Sequence, residues 1–378
     1  MKITAVISEY NPFHFGHKYQ LEEIKKNSDA VIVIMSGPFV QRGEAAITDK
    51  WTRAKAALLN GADLVFELPV IYALNSAKEF AFGAVRLLDG TGVVDELCFG
   101  SECGDINKLL SAARALENEP KTVSDKIQQL ISSGLSYPAA REIAFEEIIP
   151  QGVLSEPNNI LAVEYIRALL SLNSSIAPAT IKRCGSGYHD IDVNRFASAT
   201  GIRDKIFTGK EFSDLLPCPD FDVYCTSNLD TAMTAKLRMV SAEYLSTING
   251  VSEGLENRIK RAALIYSSID DIASEIKTKR YTMTRIKRIL ISALLDITSE
   301  LASSNATYLR VLGMNNIGTE ILRRIKNNSD LDIITKTADY KKVDPVFDLD
   351  IRAQNIFALC GGNKKGNADL TTSPIVLK

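Results

Sequence analysis

The sequence predicts an α/β fold, with a parallel sheet and crossover helices in its amino-terminal part and a mainly helical carboxy-terminal part. Three observations lead there. Short apolar runs alternate with helix-period stretches through roughly the first hundred residues, the pattern of successive βα units. The segment Leu216-Pro217-Cys218-Pro219 punctuates the chain as a boundary does. Beyond it the periodic stretches are helical.

Taken in order, residues 3–8, 30–35, 64–68 and 96–99 are short and apolar and read as strands, while residues 18–26, 48–60 and 76–88 carry helical spacing between them. Strands joined through helices need right-handed crossovers, which makes the sheet parallel and Rossmann-like. Ligands of such sheets bind past the carboxyl ends of the strands, so chemistry is expected in the loops after Ser8, Met35, Leu68 and Phe99. Residues 105–172 read as helical insertions and 179–183 as one further strand. After the Pro-punctuated segment, residues 232–245, 254–267 and 285–301 read as helices, and the Gly-, Asn-, Thr- and Lys-rich 361–378 as a frayed end. This divides the chain into a catalytic domain over residues 1–215 and a helical domain over residues 216–378.

At 378 residues and 46% hydrophobic content, the chain has ample material for packed cores. Its longest apolar stretch, residues 56–74, is broken by Asn60, Asp63, Glu67 and Pro69, which denies it the roughly 20 apolar residues of a membrane span. The apolar run before Glu9 is too short for a secretory signal. A cytoplasmic address and no membrane partner are expected. The cysteines Cys98, Cys103, Cys184, Cys218, Cys225 and Cys360 form no CxxC pair and read as buried reduced thiols, with no metal site among them. The first 200 residues carry 19 basic against 24 acidic side chains and the remainder 25 against 22, a mild asymmetry that gains meaning only from a local basic cluster.

Two of the three histidines lie in Asn11-Pro12-Phe13-His14-Phe15-Gly16-His17, after the first strand and before a helix. A loop entering a helix offers unpaired N–H groups and a positive dipole end, where a polyphosphate binds. Two imidazoles there can donate to non-bridging oxygens as charge develops on an α-phosphate. Gly16 is expected to let the backbone approach the nucleotide. Taken alone, an HxxH spacing is more often a turn cap and an ordinary helix start; its place after strand one reverses that weighting.

This stretch resembles the HxGH nucleotidyltransferase superfamily, and Ser198-Ala199-Thr200-Gly201-Ile202-Arg203 looks like the superfamily's S-x-T-x-I-R segment. Two hydroxyls, a helix start and a guanidinium suit the β- and γ-phosphates. The similarity narrows through Met35-Ser36-Gly37-Pro38-Phe39-Val40-Gln41-Arg42-Gly43-Glu44, Asp49-Lys50-Trp51-Thr52-Arg53, Phe99-Gly100-Ser101-Glu102, Glu156-Pro157-Asn158-Asn159, Lys182-Arg183-Cys184-Gly185 with Tyr188-His189-Asp190, and Lys279-Arg280-Tyr281-Thr282. These look like the bacterial tRNA(Met) cytidine acetate ligase family.

That resemblance implies an enzyme that makes acetyl-adenylate from acetate and ATP and passes the acetyl group to the exocyclic amine of the wobble cytidine of elongator tRNA(Met), giving N4-acetylcytidine. It implies His14 and His17 as catalytic residues. The ATP is expected along Ile7, Ser8, Glu9, Tyr10, Asn11, Pro12, Phe13, His14, Phe15, Gly16, His17, Lys18, Tyr19 and Gln20, with Gly100, Asn158 or Asn159, and Arg183 as further contacts. Ser198, Thr200 and Arg203 would hold the departing phosphates, with Mg²⁺ accompanying the triphosphate and no carboxylate cage legible for it. Among the sheet-top polar residues Gln41, Arg42, Asp49, Lys50, Arg53 and Glu67, a cation such as Arg42 or Lys50 would suit the acetate carboxylate, although a salt-bridged loop is the ordinary role of each. His189 reads as a hydrogen-bonded loop residue sooner than a base.

Lys277, Lys279, Arg280, Tyr281, Arg285, Lys287 and Arg288 gather six positive charges around one aromatic, a candidate face for RNA phosphates and one stacked base. Composition alone favours a solvated helix face; the resemblance favours RNA. Two other functions fit the same motifs: an adenylyltransferase acting on a small phosphorylated metabolite, and a non-catalytic tRNA-binding protein on a nucleotidyltransferase fold.

Overall fold

The computed structural model describes residues 1–149, 152–183, 197–279, 281–362 and 364–378. Ten strands are described: β1 (Ile3–Ser8), β2 (Ala30–Ser36), β3 (Phe39–Val40), β4 (Glu44–Ala45), β5 (Leu64–Leu68), β6 (Glu96–Ser101), β7 (Ala177–Lys182), β8 (Tyr308–Met314), β9 (Asp332–Ile334) and β10 (Ile375–Val376). The main sheet runs β10-β8-β5-β2-β1-β6-β7, with β9 beside β8. β1 pairs in parallel with both β2 and β6, so the strand order reverses direction there and leaves a crevice beyond Ser8 and Ser101. Such a reversal is where open α/β sheets bind ligands.

Side-chain alternation explains why these strands are central. Ile3, Ala5 and Ile7 of β1, with Ala30, Ile32 and Ile34 of β2, enter one hydrophobic cluster. Val6 and, from β2, Val31, Val33 and Met35 enter the cluster on the opposite face. A sheet covered on both faces needs apolar side chains at consecutive positions, which is what these runs supply.

The carboxy-terminal part is mainly helical, yet it contributes three strands that the sequence reading lacks. β8 extends the sheet antiparallel to β5, Leu64 facing Met314 and Glu67 facing Arg310. The end of the chain is not frayed: β10 pairs with β8, and Asp369 is buried against Lys50 and Arg310. One cluster takes in residues from Ile3 to Cys360, so the core is shared across residue 215. Among the described cysteines, all free, Cys98 and Cys360 are buried, whereas Cys103, Cys218 and Cys225 are only partly so. No described helix is long and apolar enough to cross a membrane.

Candidate active site

At the end of β1 the chain runs through Glu9–His14 and enters the helix Phe15–Lys25 with His14 as its N-cap. The cap is reciprocal. His14 Nδ1 accepts from the Gly16 N–H at 3.0 Å, and His17 Nδ1 accepts from the His14 N–H at 3.2 Å. A neutral imidazole has one donor and one acceptor nitrogen, so both rings carry their proton on Nε2. Stacking holds them together, centroids 3.8 Å apart, and Tyr10 props His17 edge-on at 4.8 Å. Gly16 is needed for a reason other than the expected one: a Cβ there would lie 2.9 Å from His14 Cε1. It makes room for the histidine ring.

Burial, with Arg183 nearby, lowers His14 to about 4. Burial, His14 and Arg183 hold His17 well below the ordinary histidine range. Both rings are therefore neutral Nε2–H donors at neutral pH. Burial raises Glu9, while the Gln41 N–H on its carboxylate and Arg203, Arg42 and Arg53 act in the other direction.

The histidines border a cavity of about 390 Å³ lined by Ile7, Ser8, Glu9, Tyr10, Asn11 and Gln20 of the first strand, loop and helix. Phe99 and Gly100 enter from β6, Arg183 from just past β7, and Asn158 from the helix Pro157–Ser171. On the far side, Ser198 and Thr200 open the helix Ala199–Phe207, and Arg203 ties that helix to the first loop by donating to the Asn11 carbonyl at 2.7 Å. Ser198 caps its own helix at the Gly201 N–H. Residues from widely separated parts of the sequence thus face one space at the strand reversal. Gly100 leaves room here mainly for Arg183, whose Cγ would lie 3.2 Å from an added Cβ.

Other candidates lie elsewhere. Pro12, Phe13, Phe15, Gly16, Lys18 and Tyr19 are not among the lining residues; Phe13 is in the core. Asn159 turns inward, accepting from the Cys103 N–H and donating to the Gly152 carbonyl, while Asn158 donates to Glu102 at the cavity wall. Lys50 is fully buried on Glu67 and Asp369 and is not free for a ligand carboxylate. Arg53 donates to the carbonyls of Thr48, Glu9, Ser36 and Gly37, fastening the sheet-top loops. Asp49 caps the helix Lys50–Leu59. Gln41 and Arg42 do line the cavity.

The basic cluster is not one solvent face. Lys277 and Lys279 are exposed; Tyr281 is buried, hydrogen-bonded to Ser252, and so cannot stack an exposed base. Arg285 lies over the Tyr281 ring, Lys287 pairs with Glu44 and Asp270, and Arg288 donates to the Gln41 carbonyl. Arg280 and His189 lie outside the described residues. Sequence reasoning missed Leu161 and Tyr165, which share a helix face with Asn158 at i+3 and i+7, and Ala77 and Phe80 from the start of the helix Ala77–Gly90. Helical spacing from Asn158 was the available signal.

The model of the HIGH Nucleotidyl Transferase family matches residues 1–371. A tRNA(Met) cytidine acetate ligase of Clostridium perfringens is 41% identical over 403 residues, covering 100% of both chains. The chain belongs to the tRNA(Met) cytidine acetate ligase family. Another family member, from Acetivibrio thermocellus, is 39% identical over 416 residues, again covering 100% of both. The crystal structure of Thermotoga maritima TmcAL bound with alpha-thio ATP matches with a TM-score of 0.90 at 33% identity, covering 100% of both chains. In this ligase family member no three His, Cys, Asp or Glu side chains gather as a metal-holding group among the described residues.

Proposed function

We propose that this chain is an ATP-dependent ligase that activates acetate and acetylates the wobble cytidine of elongator tRNA(Met), working in the cytoplasm. ATP lies in the cavity at the β1–β6 reversal. An acetate oxygen bonds to the α-phosphorus, the bond to the bridging oxygen breaks, and pyrophosphate leaves toward Ser198, Thr200 and Arg203. His14 and His17 donate from Nε2 to the α-phosphate oxygens as their charge grows, and donors already in place cost no reorganisation at that moment. The cytidine amine then bonds to the acetyl carbonyl carbon, AMP departs and the amine loses a proton. Any Mg²⁺ would accompany the triphosphate.

The observation that carries this reading is the reciprocal histidine cap at a cavity also bordered by Arg183 and Arg203. Acetate-dependent exchange of labelled pyrophosphate into ATP, without tRNA, tests the first step. Exchange that needs acetate supports it. Exchange equal with and without acetate points to another acceptor of AMP.

A further inference from the structure

Beside the nucleotide cavity lies a second one of about 470 Å³, within the range of small-molecule sites. The reaction above makes no use of it. The helix Met283–Leu295 presents Arg285, Arg288, Ile289 and Ser292 to it on a single face. Asn75 and Ser76 form a second wall, and Leu135 and Tyr137 from the insertion a third.

The two cavities share a boundary. Arg288 lines the second and donates at 3.0 Å to the carbonyl of Gln41, which lines the first. Ser76 lines the second and its neighbour Ala77 the first. A group seated beside Arg288 is therefore one hydrogen bond away from the nucleotide site.

The chemistry of the lining suits a nucleotide. Arg285 and Arg288 stand one turn apart with like charge, and burial, then Arg285, lowers the Arg288 guanidinium to about 10. An anion between them relieves that repulsion and accepts charge-assisted hydrogen bonds. Leu135 and Ile289 offer apolar surface, and Tyr137 is 52% exposed, open to a flat ring. Asn249 brings an amide suited to a base edge, while the Asn75 amide is held by the Ile71 carbonyl and the Ser76 N–H. Aromatic surface beside guanidinium groups is how splayed-out bases of single-stranded RNA are held.

We propose that this second cavity receives the acceptor nucleotide of the RNA, its phosphate on Arg285 and Arg288 and its base against Tyr137 and Leu135. The inference rests on the ligase reading and assigns to Arg285 and Arg288 a recess in place of an open basic face. It places the acceptor's phosphate, on Arg288, at the boundary with the nucleotide cavity.

Photocrosslinking tests it. An anticodon stem-loop RNA with a photoreactive pyrimidine at the target position is irradiated with the full-length, ATP-loaded protein, and crosslinks are mapped by mass spectrometry. Crosslinks are expected within residues 131–137 or 281–292, reduced about fivefold or more in Tyr137→Ala and in Arg285→Gln, with both variants retaining the wild-type circular dichroism. Crosslinks confined to other elements, or undiminished in the folded Tyr137→Ala variant, overturn the assignment. Acetyl transfer to the unmodified stem-loop is assayed in parallel with the wild-type protein. Transfer with crosslinks elsewhere defeats the cavity alone, whereas crosslinks here without transfer support the cavity and count against the ligase reading.

Discussion

His17 holds the backbone of His14: its Nδ1 accepts the His14 N–H at 3.2 Å, and the two rings stack with centroids 3.8 Å apart. Stacking orients the two rings together, and the Gly16 and His14 N–H groups on their Nδ1 atoms leave both protons on Nε2, so the pair acts as a unit. His17→Ala is expected to remove a donor and loosen His14, lowering the acetate-dependent exchange rate on the order of a hundredfold or more. A folded variant with wild-type exchange would exclude the pair from catalysis.

Acid pH acts on the same pair. Unfolded histidines take up protons below about 6.5, whereas folded His14 does so only near about 4 and His17 well below 6.5. The unfolded chain binds more protons in that window, so the stability owed to the neutral rings is complete above 6.5 and falls as pH drops toward 4. Imidazole NMR of the ligand-free protein should show two Nε2–H tautomers that do not titrate near 6.5. An ordinary histidine midpoint for His14 would contradict the burial argument.

Gly16→Ala separates the ring-space explanation from a ligand-space one. The added Cβ meets His14 Cε1 at 2.9 Å and Nδ1 at 3.0 Å, so the ring must shift. Exchange is expected to fall about tenfold to a hundredfold, with His14 resonances displaced even without ATP. Unchanged His14 shifts in the ligand-free variant would argue against it.

Much of the site was legible because its parts are local. The strand, the HxGH loop and the S-x-T-x-I-R segment each lie within a short window, and the parallel pairing of the central strands follows from the βα pattern. Long-range pairing was not legible. Arg310 interrupts the apolar run of β8 and conceals a buried strand, because its partner Asp369 lies 59 residues further on. The tail's polar composition hid the same Asp369, which reaches Lys50 across 319 residues. The basic cluster read as one face because spacing cannot show that Lys287 meets Glu44 or that Tyr281 turns inward.

Lys50 shows how such pairing changes a functional expectation. Burial opposes its charge, but Asp369 and Glu67 outweigh this and raise its pKa. Lys50→Met should strand the buried Glu67 carboxylate and leave Asp369 with Arg310 alone, destabilising the protein by about 3–5 kcal/mol in urea denaturation, with little change in the KM for acetate of the remaining folded enzyme. A normal midpoint with a raised acetate KM would return Lys50 to the substrate.

Arg203 joins the start of the helix Ala199–Phe207 to the first loop through the Asn11 carbonyl. Arg203→Lys loses the forked geometry that spans Asn11 and Thr200. A raised KM for ATP of about tenfold is expected, with thermal stability nearly unchanged. An unaltered ATP KM would remove Arg203 from the phosphate site.

The central claim is settled at the product. The protein is incubated with ATP, acetate and elongator tRNA(Met), and the tRNA is digested to nucleosides for mass analysis. The account predicts N4-acetylcytidine at the wobble position, formed only when ATP and acetate are both present and lost in His17→Ala. Unmodified cytidine in the presence of protein that carries out acetate-dependent exchange would contradict it.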